Sequence, residues 1–239
     1  MYGTLYGIGV GPGDPDLLTI KAVKALARTD VVFAASSTKN DYSISLSIAA
    51  PHLRDDVQII RLGFPMSRDG SVLRAAWDEN ARTVAGHLAA GRQCAFLTLG
   101  DPLIYSTFGY LLRTLRTVCP QAPVEIVPGI TSYQASAART ATILCESGEN
   151  LLLLSGVGDG LEQALNYADN AVILKTYKNF AAIRKAVTAA GKENQSTFVS
   201  RLGMDGEIVA ESLQDAPEKP HYFSLMLVTG DKKRKNADS

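Results

Sequence analysis

YGIGVGPGDPDLLT, residues 6–19, sets an apolar lead-in before glycines at positions 7, 9, 11 and 13 and then Asp14-Pro15-Asp16. A short strand entering a loop poor in side chains lets another backbone or a ligand approach closely, and the acceptors that end the loop suit the start of a helix. The stretch is not a dinucleotide fingerprint: five residues after Gly7 stands Pro12 and five after Gly9 stands Asp14, so neither frame completes G-x-G-x-x-G. No Gly-Lys-Ser/Thr follows, which removes the phosphate-loop pattern as well. A tight strand-to-helix turn with no ligand is the alternative reading of these glycines, and the rest of the chain must decide.

Downstream, Asp16 or Thr19 can cap a helix whose apolar positions are Ile20, Val23, Leu26 and Ala27, leaving Lys21, Lys24 and Arg28 for solvent. Residues 30–34 read as a buried strand, which completes a βαβ unit and implies a parallel sheet. Residues 36–56 read as a loop or a loosely helical excursion, and a strand is expected at 57–62. The clearest amphipathic helix covers 71–90, with Leu73, Trp77, Val84 and Leu88 near one face; Trp77 is read as a core anchor and His87 as structural. A strand at 93–99 runs into Gly100-Asp101-Pro102-Leu103-Ile104-Tyr105-Ser106-Thr107. That order puts backbone N–H groups and a carboxylate at the carboxyl edge of the sheet, where open α/β folds bind ligands; a helix cap is the plain alternative for Asp101. After a helix at 107–118, a strand at 123–127 ends in a third glycine turn, Pro128-Gly129-Ile130-Thr131-Ser132-Tyr133.

Beyond a small-residue helix around 135–141, a second α/β series places strands at 150–154, 171–174, 196–202, 207–211 and 222–228, with helices at 161–167 and 180–190. The strands EIVAES and YFSLMLV suit antiparallel pairing. The expectation is an α/β protein of two domains: residues 1–130 around a parallel sheet, residues 131–231 around a mixed sheet, and a flexible basic tail at 232–239.

Composition excludes more than it identifies. Hydrophobic residues make up 46% and charged residues 20%, ordinary for a globular protein. Lys plus Arg and Asp plus Glu both number 24, so no global field points to nucleic acid or an acidic membrane surface. The three cysteines, Cys94, Cys119 and Cys145, are far apart and odd in number; they read as buried small apolar residues in a reducing compartment, without a disulfide framework or a protein metal site. No apolar run approaches the roughly 20 residues of a membrane helix, and a cytoplasmic protein is expected.

Taken together, four blocks resemble the tetrapyrrole methylase family, S-adenosylmethionine-dependent enzymes that methylate corrinoid ring precursors. They are YGIGVGPGDPDLLTIKA at 6–22, LGDPLIYST at 99–107, VPGITS at 127–132 and SRLGMDGE at 200–207, in the family's order. The opening extended to Leu26, with LKTYKN at 174–179, is most similar to the subgroup acting on carbon 20 of precorrin-2 or cobalt-precorrin-2. The resemblance implies a homodimer of two-domain chains with S-adenosylmethionine in the cleft between the domains. By motif it places cofactor contacts on Pro12, on Leu99, Gly100 and Asp101, on Ile104, and on Thr131 and Ser132. In the second domain it places them on Leu174 or Lys175 and on Leu202 and Gly203. One departure is informative: where the uroporphyrinogen methylases carry Tyr-Asp-x-Leu, this chain reads AASSTKN at 34–40, which argues against the first methylation of the pathway.

A sulfonium methyl is already activated, so glycine turns and backbone groups without a triad suit a task that is mainly alignment. No residue stands out as a base for a proton leaving the ring; Asp14, Asp101, Tyr105 and Tyr133 are candidates by position, and an orienting role is favoured for Asp101. Lys39, Arg61, Arg68 and Lys178 are candidate partners for the substrate's carboxylates, against the alternative of solvated surface charge. The rival readings are a methylase of the same family acting on another corrinoid carbon or on a protein, a dinucleotide-binding oxidoreductase, and a silent binding protein of the same fold.

Overall fold

A parallel sheet needs long crossovers, and the first half of the chain supplies them as helices. The computed structural model describes residues 1–36, 43–156, 158 and 160–230; Lys39 and the basic tail lie outside the described residues. The chain forms two compact units, Met1–Thr131 and Ser132–Ser239.

In the first unit, β1 (Leu5–Gly9), β2 (Val31–Ser36), β3 (Gln58–Gly63), β4 (Cys94–Thr98) and β5 (Val124–Val127) form an all-parallel sheet in the order β3-β2-β4-β1-β5. Alternate residues feed two apolar layers. On one face Leu5, Val31, Phe33, Cys94 and Phe96 meet α3 (Gly70–Ala89) and α4 (Phe108–Val118). On the other, Tyr6, Ile8, Val32, Ala95 and Leu97 meet α1 (Ile20–Leu26) and α2 (Ile44–Ala49). Trp77 is half-buried and packs against the first layer, stacked on Tyr110.

Two local expectations need correction. Thr19 caps α1, its side chain accepting the Ala22 N–H at 3.1 Å, while Asp14 caps a separate 3-10 turn at Pro15–Leu17. The inward face of α1 is Ala22, Ala25 and Leu26; the small alanines let the helix lie close to the strands, which turns Ile20 (74% exposed) and Ala27 outward. Cys145 is only half-buried, because it lies in a turn where its Sγ meets the Glu149 carbonyl, whereas Cys94 and Cys119 are buried as expected. Burial pushes the Cys94 thiol up to about 12, so it is inert packing.

The second unit holds α5 (Ser132–Arg139), β6 (Leu151–Ser155), α6 (Leu161–Tyr167), β7 (Asn170–Leu174), α7 (Phe180–Ala189), β8 (Ser196–Ser200), β9 (Ile208–Ala210) and β10 (Ser224–Val228). Its sheet runs β6-β7-β10-β8-β9, with β6 and β7 parallel and the other pairings antiparallel. One face packs Ile173, Phe198 and Met226 against α6 and α7; the other packs Val172, Val199 and Leu225 against Ala137 and Tyr133 of α5.

The constraint that positions the first unit's loops is a backbone junction at the ends of β1, β4 and β5. Gly100 N–H donates to the Gly11 carbonyl at 2.7 Å, and Val10 N–H to the Thr98 carbonyl at 2.9 Å. A Cβ on Gly9 would meet the Gly100 carbonyl oxygen at 2.4 Å and Gly129 Cα at 2.7 Å; one on Gly129 would meet the same oxygen at 2.2 Å. Three strand ends thus touch main chain to main chain, which explains these glycines by packing rather than by a ligand. Gly9→Ala and Gly129→Ala are expected each to lower unfolding free energy by more than about 2 kcal/mol, since rigid backbone cannot yield to the added methyl. Gly63→Ala, with nothing within 4 Å of its Cβ, is the control and should leave the thermal transition unchanged or slightly raised. Thermal melts of the three variants decide it; equal effects would mean that the junction is not the constraint.

Candidate active site

Asp101 follows the junction directly, and both of its carboxylate oxygens are engaged. Oδ1 accepts the Leu103 N–H at 2.8 Å and Oδ2 accepts the Gly129 N–H at 3.1 Å. It is not the cap of α4: that helix starts seven residues further on at Phe108, whose N–H donates to Ser106 Oγ at 3.1 Å. The carboxylate therefore ties the loop after β4 to the loop after β5. Around it the first unit gathers most of its expected cofactor positions. Pro12 and Gly100 are buried, Leu99 is half-buried against the α1 layer, Thr131 is buried, and Ile104 is 36% exposed on the same loop as Asp101. Tyr105, half-exposed, sits in the left-handed region at φ 50, a conformation costly for a side chain with a Cβ.

The remaining candidate bases are placed as follows. Asp14 accepts the Asp16 N–H at 2.9 Å within the 3-10 turn, so that carboxylate serves the local backbone. Tyr133 packs into the second unit's α5-side cluster, and Ser132 opens α5. Among the described residues no group of three or more His, Cys, Asp or Glu is placed to hold a metal ion. No helix among them is long and apolar enough to cross a membrane.

In the second unit, the carboxyl ends of β7 and β8 flank the amino end of β10, so Leu174, Lys175, Leu202 and Gly203 share one sheet edge. Lys175 is left-handed at φ 58, its N–H donating to the Ser224 carbonyl at 3.0 Å. Its side chain is half-buried; burial, and then the like charge of Lys178, lowers its pKa from 10.5. No ion pair holds Lys175 among the described residues. The buried Thr176 hydroxyl donates to Ser224 Oγ at 2.7 Å, and Tyr177 lies 5.0 Å from Tyr222. Burial raises the Tyr222 phenol. Leu202 packs on the α5 side, and the Gly203 N–H donates to Glu207 Oε2 at 2.9 Å. Glu207 Oε1 in turn accepts from Arg139 Nε at 2.9 Å.

Several of these residues carry no role in the sequence reading. Glu207 stands inside SRLGMDGE without a role in that reading, whereas Ser224 becomes a neighbour of Lys175, and Tyr222 of Tyr177, only through antiparallel pairing. Arg61 lies on β3, an edge strand separated from β4 by β2; Arg68 is in the loop before α3; Lys178 is exposed beside Lys175. Two buried hydroxyls, Thr98 Oγ1 and Ser200 Oγ, close to the ends of β4 and β8, have no hydrogen-bond partner among the described residues.

Comparison with known proteins identifies the family. The sequence profile of the Tetrapyrrole (Corrin/Porphyrin) Methylases matches residues 4–217. The cobalt-precorrin-2 C(20)-methyltransferase of Salmonella typhimurium is 36% identical over 232 residues, spanning 95% of this chain and 97% of that protein. The precorrin-2 C(20)-methyltransferase of a Sinorhizobium species is 34% identical, spanning 97% of each. Among solved structures, the uroporphyrin-III C-methyltransferase of Thermus thermophilus complexed with S-adenyl homocysteine superposes with a TM-score of 0.68 at 23% identity, covering 98% of this chain and all of that one. The chain belongs to the tetrapyrrole (corrin/porphyrin) methylases.

Proposed function

We propose that this methylase transfers the methyl group of S-adenosylmethionine to carbon 20 of precorrin-2 or cobalt-precorrin-2, in cobalamin biosynthesis. The observation that carries the reading is agreement along almost the whole chain, at 36% and 34% identity, with relatives named for that activity. Both a cobalt and a metal-free ring appear in those names, and the ring's metal belongs to the substrate.

The residues present suit such a cofactor. Lys175 is a half-buried cation with no carboxylate partner among the described residues, which fits the carboxylate of an amino-acid moiety. Leu99 and Ile104 offer partly exposed apolar surface, which fits an adenine. When bound, the cofactor supplies an already activated methyl group. The protein's task is then alignment, worth roughly 7 to 11 kcal/mol when the geometry is held. Asp101 contributes by fixing the two loops to each other, as a positioning residue rather than a base. Left-handed Lys175 and Arg201 aim their loops at the edge of the second sheet, and Glu207 clamps the latter. A homodimer acting in the cytoplasm belongs to the same reading, resting on the family resemblance and the unpaired cysteines.

Three outcomes test it. Anaerobic incubation with S-adenosylmethionine and either metal-free or cobalt-loaded dimethylated ring should add a single methyl, located at carbon 20 by carbon-13 labelling; no methyl on either ring sinks the substrate assignment. Asp101→Ala should weaken cofactor binding in calorimetry and also cost about 1 to 3 kcal/mol of stability, because the partly buried Gly129 N–H loses a charged acceptor. Undiminished affinity well below the melting temperature would detach the junction from the cofactor. Lys175→Met should lower cofactor affinity while the melting temperature holds or rises. The sign follows from its depressed pKa: the native state binds fewer protons than the unfolded chain between the lowered value and 10.5, so wild-type stability recovers as pH climbs through that window. The variant's thermal advantage should therefore shrink at alkaline pH, and a lower melting temperature at neutral pH would contradict it.

A further inference from the structure

Outside the junction, an open groove of about 320 Å³ begins on the loop that carries Asp101, lined by Pro102, Leu103, Tyr105, Leu112, Tyr110 and Arg113 among others. A second groove of about 300 Å³ shares Tyr110 and Arg113 with it and continues between α3 and α4 to Arg74, Trp77 and Thr114. The shared residues are built as a unit. Tyr110 is stacked on Trp77, with ring centroids 4.6 Å apart and planes 5° from parallel, and the Arg113 guanidinium lies over Tyr110 at 5.2 Å. Stacking of this kind restrains a guanidinium that would otherwise sample many rotamers, and leaves its N–H fork available. At the groove's mouth Leu103 and Tyr105 are 59% and 52% exposed, and Tyr105 holds its left-handed backbone. Exposed apolar side chains beside a restrained cation form a surface of mixed character: apolar floor, cationic rim. Asp78 is the acidic residue on that rim, against the two arginines.

We propose that this groove is a substrate subsite, in which Arg113, supported by Tyr110 and Trp77, anchors a carboxylate-bearing arm of the tetrapyrrole. The inference rests on the function proposed above, since a large apolar ring with acidic arms is the ligand that matches both halves of the surface. A planar fork suits a carboxylate in a way a lysine does not, which assigns the anchor to Arg113 and a secondary, longer-range attraction to Arg74. Arg113 is exposed on the second turn of α4 and engages no core contact, so its replacement by another good helix former separates binding from folding.

The test is ring binding and turnover in the full-length protein, titrating metal-free and cobalt-loaded dimethylated ring under anaerobic conditions and following the fluorescence of Trp77, the sole tryptophan. Arg113→Gln should raise Kd and KM for the ring about three- to tenfold, with kcat and the affinity for S-adenosylmethionine moving far less. Arg113→Lys should fall between the two, and added salt should raise the wild-type KM more steeply than that of the glutamine variant. Unchanged Kd and KM in Arg113→Gln, while the wild type methylates the ring, overturns this inference alone. So does an altered oligomeric state with unchanged KM, which would make the groove an interface between copies. A wild type that neither binds nor methylates the ring overturns the inference together with the function it rests on.

Discussion

Three main chains in contact, at Gly9, Gly100 and Gly129, are the constraint on which the first unit depends. A methyl on Gly9 or Gly129 would drive strand ends apart, and the separation would pass to the loops that leave them. The Asp101 carboxylate can reach the Gly129 N–H only because the backbones are already that close. The same economy of side chains recurs inside the sheet, where the Phe108 ring of α4 occupies the space above Gly7 that a Cβ would fill. Sheet, helix layer and ligand-edge loops are thus fixed by one set of missing atoms.

The second unit reaches a comparable edge by other means. There the turns after β7 and β8 are made by Lys175 and Arg201 in the left-handed region, where each costs of order 1 kcal/mol or more that a glycine would not. Hydrogen bonds over-determine them: Lys175 through Ser224, and the Arg201 loop through Glu207 and Arg139. Keeping a long cation at a strained, half-buried position is a stability loss that a carboxylate-binding role would account for.

Much of this was legible in the sequence, and the limits are physical. Glycine turns after apolar runs gave the strand ends, and the alternation of strand and helix gave the parallel sheet, because both signals are local. The face of α1 was misread because Ile20 carries the greater hydrophobicity while Ala22 and Ala25 carry the closer packing. Asp101 read as a possible cap because the acceptor's partner, Gly129, is 28 residues away and invisible to spacing. The Trp77 and Tyr110 stack, joining α3 to α4, and the meetings of Lys175 with Ser224 and of Tyr177 with Tyr222 are likewise products of tertiary pairing. The glycines themselves were recognised as a close approach, but whether a ligand or another backbone approaches is a question only the fold answers.

The place of β1 in its sheet also bears on how the protein is made. Its two neighbours are β4 and β5, which lie far later in the chain, so this strand has no partner in its sheet until residues 94–98 exist and is flanked on both sides only after residue 127. During translation the apolar segment from Leu5 to Val10 therefore waits with an open backbone ladder while most of the unit is still being assembled. The glycine contact cannot close before Gly129 has left the ribosome. The first unit is in this sense completed by its last loop, and a nascent chain stalled before that point carries a ready-made edge for chaperones or for aggregation.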